Sequence, residues 1–122
     1  MSKTKINGTD NSVTVGELKA LIEEFVLKRD WAKFHSPKNL SMALGVEAGE
    51  LMDLFRWRPE ENSVQIMKTG KVRKAAAEEL ADVIICALSF ANRTGIDVAS
   101  SVRRKVDKNA KKYPAGKFRG KF

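Results

Sequence analysis

Two pairs of carboxylates stand at the same spacing in this chain. Glu47 and Glu50 lie in "LGVEAGELMDLFRW", and Glu79 and Asp82 lie in "EELAD"; in each pair the second acid follows the first by three residues. On a helix, residues three apart share a face. Leu44, Leu51 and Leu54 flank the first pair, and Ala75, Val83, Cys86 and Phe90 flank the second. Carboxylates pushed together beside apolar side chains repel one another and lose hydration, at several kcal/mol per buried ion. Protonation relieves this by raising the pKa. A divalent cation relieves it as well, and oxygen donors without cysteine or histidine suit Mg²⁺, with Mn²⁺ as an alternative, better than zinc. Mg²⁺ commonly shares its shell with substrate phosphates. For either pair alone a solvated helix face is the simpler reading, and it is the repetition on two helices that favours a metal site. Glu78 stands outside the pattern, four residues after Lys74, where a surface ion pair is expected.

The elements that must carry these acids read as helices. Residues 1–13 are polar and form an expected mobile leader. "TVGE" from Thr14 is a capping box, and Leu18, Leu21, Ile22, Phe25 and Val26 follow at helical spacing, predicting a helix from about Val15 to Asp30. Ser36 before Pro37 starts a second helix that carries Leu40, Leu44, Glu47, Leu51 and Leu54. Pro59 places its end near Trp57. Residues 58–70 read as a charged connector, with a short helical piece from Glu61 to Met67 closed by Gly70. A third helix is expected from Lys71 to about Ala91. Its stretch "VIICALSFA" is apolar nearly all round, which calls for burial on every side and, in a chain this small, for a subunit interface. Asp97 caps a fourth helix showing Val98, Val102 and Val106 and ending near Tyr113–Pro114. The remaining "AGKFRGKF", residues 115–122, reads as a loose basic tail. No strand pattern competes. The expected class is an all-α, four-helix-bundle-like fold in one domain over residues 14–114, assembled as an oligomer.

Composition narrows the setting. The chain has 122 residues, 43% of them apolar, and a net charge of +8. Nine Lys and Arg stand against Asp107 alone between Arg103 and Lys121. A nucleic-acid-binding helical protein without catalysis is therefore the alternative reading. The paired acids weigh against it, since they repel phosphate unless a metal intervenes. One cysteine excludes an internal disulfide and fits a reducing compartment. No signal-peptide pattern and no apolar run long enough for a bilayer is present, so a cytoplasmic location and no membrane partner are expected. No Gly-rich phosphate loop occurs, which excludes a P-loop enzyme.

"RDWAKFHSPKNL", "VEAGELMDLFRW", "EELADVIICAL" and "KVDKNAKKYP" together resemble the MazG-like all-α nucleoside triphosphate pyrophosphohydrolases, and among them the dCTP pyrophosphatase type. The resemblance runs from about Leu18 to Pro114. It implies Mg²⁺-dependent hydrolysis of a (deoxy)nucleoside triphosphate to monophosphate and pyrophosphate, by water attack at the α-phosphorus. It implies that Glu47, Glu50, Glu79 and Asp82 are the catalytic metal ligands. It further implies that Trp31, His35 and Trp57 shape a base and sugar pocket, and that Lys105, Asn109, Lys112 and Tyr113 reach towards the ligand. Self-association as a dimer or tetramer, with sites completed by more than one subunit, is also implied.

Overall fold

The computed structural model describes residues 5–121; the first four residues of the expected leader and the last of the expected tail lie outside it. Six helices follow one another: α1 (Val15–Lys28), α2 (Pro37–Asp53), α3 (Glu60–Ile66), α4 (Gly70–Thr94), α5 (Val98–Lys112) and α6 (Ala115–Phe118). A single 3₁₀ turn, Ala32–Phe34, joins α1 to α2. No strand occurs among the described residues.

Local chemistry sets most of the boundaries. The Thr14 hydroxyl accepts from the Glu17 N–H at 3.0 Å, and the Thr14 N–H donates to the Glu17 carboxylate at 3.0 Å, so both halves of the capping box form. The C-terminus of α1 closes earlier than the apolar spacing suggests. Asp30 adopts φ 52° in the left-handed region. Its N–H donates to the Leu27 carbonyl, while the Trp31 N–H donates to that of Val26. This pair of bonds is a Schellman motif, which satisfies two carbonyls that α1 would leave bare. It also throws Trp31 back against α1, edge-on to Phe25 with ring centroids 5.8 Å apart.

Ser36 caps α2 by accepting from the Asn39 N–H at 3.1 Å, with Pro37 at the first helical position. The Asn39 side chain donates to the Phe34 carbonyl at 3.0 Å and clamps the segment that holds His35. The end of α2 falls at Asp53 rather than near Trp57. The chain tightens there, with Phe55 and Arg56 N–H both donating to the Met52 carbonyl at 2.9 Å. The Asp53–Arg56 ion pair and the Arg58 guanidinium on the Leu54 carbonyl hold this turn ahead of Pro59. Gly70 opens α4 instead of closing the connector, and α4 continues a turn past Ala91. Two ties to α1 sustain that turn: the Asn92 amide donates to the Lys19 carbonyl at 3.0 Å, and Arg93 pairs with Glu23. Gly95, at φ 72°, ends it as a left-handed cap.

Helix packing is extensive only between α2 and α4 and between α1 and α4. The α2–α4 hairpin is antiparallel: Ala43 shares a cleft with Cys86, Glu47 meets Glu79 and Asp82, and Leu51 meets Ala76 and Leu80. Ile22, Val26 and Leu88 form the buried centre, with Leu18, Ala32 and Val98 packed against it. Each such side chain contributes about 1.5–3 kcal/mol when buried. Within one chain the packed unit is thus three helices, short of the expected four-helix bundle. The axis turns by 105° between α4 and α5. Val98 reaches the core, but Val102 and Val106 are exposed. Nor is α4 buried on every side, since Leu80, Ile84 and Ile85 are uncovered. The segment expected to be a loose tail contains the one-turn helix α6, where Phe118 packs edge-on against Tyr113 at 5.3 Å. No single helix among the described residues is long and apolar enough to cross a membrane.

Candidate functional site

The antiparallel hairpin brings the two acidic pairs to one level. Carboxylate oxygens of Glu47, Glu79 and Asp82 all lie within 4.8 Å of one another. Glu50 does not join that trio. It is nonetheless the largest charged influence on Glu79, whose carboxyl is pushed above its ordinary value first by desolvation, then by Glu50, Asp82, Glu47 and Glu78. None of the four ion pairs formed by the described residues involves these acids. The expected Lys74–Glu78 pair is absent too; Glu78 is exposed and adds to the negative field instead.

Whether such a trio fits a hard cation can be tested on its span. Six oxygens at the Mg²⁺ distance of about 2.1 Å sit about 3 Å apart at neighbouring corners and about 4 Å apart at opposite ones. A trio spread over at most 4.8 Å reaches that arrangement by small rotamer adjustments. The donors are all oxygens, the local charge is uncompensated, and two of the three are half-buried. The residues therefore fit a divalent cation of the Mg²⁺ or Mn²⁺ type.

Beside the acids lies an apolar cleft of about 480 Å³ between α1, the 3₁₀ turn, α2 and α4. Phe25, Trp31 and Ile85 form its sides, and Ala43, Cys86 and Ser89 line it from α2 and α4. Ala43 precedes Glu47 by one helical turn, and Cys86 follows Asp82 by one. Cleft and acid cluster are therefore consecutive levels of the same hairpin. The Cys86 thiol is pushed up by burial and by the charges of Glu47 and Asp82, so it stays protonated. His35 borders the cleft with a buried Nδ1 that has no hydrogen-bond partner. A buried polar atom without a partner is uncommon and calls for one.

The other residues implied by the resemblance lie elsewhere on the single chain. Trp57 is 80% exposed beyond the end of α2, with the Arg56 guanidinium 4.5 Å above its ring. Lys105 borders a shallow hollow with Ser101, Arg104 and Lys108 on α5 itself. Asn109 sits on the same helix, and Tyr113 terminates it, with the Lys112 ammonium 5.2 Å from the Tyr113 ring. Trp31, His35 and three of the four acids thus come together, while Trp57 and the α5 group do not. Ala43, Cys86 and Ser89 carry no motif of their own. Only their distance of one turn from Glu47 and of one to two turns from Asp82 marks them as neighbours of the site.

A helical hairpin that gathers acids from both arms beside an apolar, aromatic-walled cleft defines the molecule as an all-α protein with an acidic cluster of a shape that fits a cation. The MazG-like family pattern matches residues 42–121, and the chain belongs to that family. Among curated relatives, dCTP pyrophosphatase 1 of Bos taurus is 38% identical over 107 residues, covering 88% of this chain and 63% of that one. The Homo sapiens dCTP pyrophosphatase 1 is 38% identical over 102 residues, covering 84% and 60%. The chain therefore spans less than two thirds of the length of these relatives. A solved structure of a pyrophosphatase from Archaeoglobus fulgidus DSM 4304 superposes with a TM-score of 0.77 at 33% identity, over 90% of this chain and 99% of that one.

Proposed function

We propose that this chain is a Mg²⁺-dependent nucleoside triphosphate pyrophosphohydrolase, with Mn²⁺ as an alternative ion. It converts (deoxy)nucleoside triphosphates, dCTP among them, to the monophosphate and pyrophosphate. The observation that carries this reading is the stacking of the Glu47–Glu79–Asp82 trio one helical turn from the apolar cleft. A nucleoside in the cleft presents its α-phosphate at the level of the acids. The names of the relatives, dCTP pyrophosphatase 1 and pyrophosphatase, support the same chemistry.

Glu47, Glu79 and Asp82 would hold the cation. When bound, it supplies a Lewis acid for the phosphate oxygens and the attacking water. The Trp31 ring offers the base a stacking face, and the apolar walls exclude bulk water. His35 Nδ1 meets a polar atom of the nucleoside and gains the partner it lacks. Glu50, whose charge bears on Glu79, would take the proton of the attacking water on a carboxylate oxygen. Trp57, Lys105, Asn109, Lys112 and Tyr113 serve from a second copy of the chain, in a dimer or tetramer. The exposure of Trp57, Lys105, Lys112 and Tyr113 and the uncovered apolar strip of α4 support that assembly. The lone cysteine, Cys86, fits a reducing compartment such as the cytoplasm.

The test is incubation with each dNTP and Mg²⁺ in ¹⁸O-water. Monophosphate and pyrophosphate are expected as products, with the label on the monophosphate. No turnover of any nucleotide, with Mg²⁺ or Mn²⁺, would overturn the reading; label on pyrophosphate would overturn attack at the α-phosphorus.

A further inference from the structure

Small side chains form one part of the cleft lining, its floor. Ala43 comes from α2, and Cys86 and Ser89 come from α4, while the larger Leu40 and Ile85 of the same helices also line the cleft. Cys86 and Ser89 are three apart on α4 and face the cleft together. The cleft extends to about 480 Å³, within the range of pockets that enclose ligands much larger than one small ring.

The geometry also fixes which part of a substrate meets this floor. Cys86 lies one turn, about 5.4 Å along the axis, from the acid level at Asp82, and Ser89 lies almost a further turn on. With phosphates held at the acids, sugar and then base occupy the successive levels above. The base therefore rests between the Trp31 side of the cleft and the Cys86–Ser89 floor. Trp31 is kept there by the Schellman turn and by Phe25, so that side is fixed. Depth is set by the floor, where Cys86 and Ala43 each stand one turn from an acid, Asp82 and Glu47.

We propose that the side chain at Cys86, with Ala43 and Ser89 beside it, determines the size of base accepted, and that the cleft takes two-ring purine bases as well as one-ring pyrimidines. This rests on the pyrophosphohydrolase reading and names the substrate class of that same site. Enlarging residue 86 shortens the cleft, which excludes a purine before a pyrimidine. A merely structural residue would lower turnover of all nucleotides alike and leave their ratio unchanged.

The experiment compares kcat/KM for dATP and dGTP with that for dCTP in the unaltered protein and in Cys86→Phe, after thermal melting shows the variant folded. The unaltered protein is expected to hydrolyse purine substrates within about tenfold of dCTP, and Cys86→Phe to lower the purine-to-pyrimidine ratio at least about fivefold. A preference for dCTP beyond tenfold in the unaltered protein, or a smaller change of ratio in the variant, overturns the proposal. Cys86→Leu replaces the Phe variant under the same criterion if the latter does not fold. Should the variants be folded but inactive, Kd values for dAMP and dCMP in EDTA, read from tryptophan fluorescence, decide by the same fivefold ratio. Absence of turnover with every nucleotide in the unaltered protein sinks the pyrophosphohydrolase reading itself, whereas turnover without a shift of ratio sinks only the assignment of Cys86.

Discussion

Glu79 shows at the scale of one residue how a site can be unfavourable until it is filled. Its carboxyl is held above the ordinary carboxylate value, mainly by desolvation and then by the neighbouring acids. The folded chain therefore binds the proton more tightly than the unfolded chain does. That linkage favours folding fully below the ordinary value and is lost as pH rises through the higher folded value. In EDTA, melting temperature should therefore fall from pH 4.5 towards pH 7. Glu79→Gln should flatten this fall and melt no lower than the unaltered protein at pH 7. The same substitution should reduce turnover about 100-fold or more and abolish stabilisation by Mg²⁺ with nucleotide. Scanning calorimetry at the two pH values, with and without Mg²⁺, checks both halves; an unchanged Mg²⁺ response would remove Glu79 from the site. His35 makes a second, opposite case. Its Nδ1 is buried without a partner, so an apolar ring of similar shape relieves a desolvation cost in the free protein. His35→Phe should melt at or above the unaltered protein while raising KM about tenfold, and a lower melting temperature with unchanged KM would contradict this.

At the scale of elements, the turn after α1 decides where Trp31 points. Asp30 holds φ 52°, a conformation that side chains with a Cβ reach only at a cost and that Asp tolerates better than most. Asp30→Ala should destabilise the chain by about 1 kcal/mol, whereas Asp30→Gly should be neutral or stabilising, as urea unfolding would show. Equal destabilisation by both would mean that the exposed Asp30–Lys33 pair, and not the turn, matters. Much of this level was legible in the sequence. The Thr14 and Ser36 caps, the two acidic pairs and the Asp97 cap depend on residues within one turn, and local chemistry decides them. Four features were not legible, because each depends on contacts distant in sequence or on competition at a helix end. Asp30 offers no glycine to announce a left-handed turn. The early stop of α2 at Asp53 is held by side chains of the turn itself. The extra turn of α4 needs Lys19 and Glu23 from α1. The cleft floor at Ala43, Cys86 and Ser89 emerges only once the hairpin register is known.

For the whole molecule, the decisive fact is how little one chain buries. Among the described residues no large side chain falls below 2% exposure, and the buried apolar set is six residues. A small domain with so thin a core is marginal alone. Meanwhile Leu80 and Ile84, one turn apart on α4, are 51% and 44% exposed, and Val102 and Val106 on α5 are exposed as well. The apolar length of α4 calls for burial on all sides; the single chain covers only part of it. A second copy laid on this strip would bury it, and the strip needs about 1,000 Å² or more of shared surface to hold a stable pair. Placing a carboxylate there would put an unpaired charge into the interface, at a cost of several kcal/mol. Ile84→Glu should therefore shift the protein, at micromolar concentration, to the 13.6 kDa of one chain in light scattering. The unaltered protein should show at least twice that mass and a melting temperature that rises with its own concentration, which the variant should lack. If the unaltered protein already scatters as one chain, the strip is not a self-association surface. Trp57 and the α5 residues would then have no second copy from which to reach the cleft.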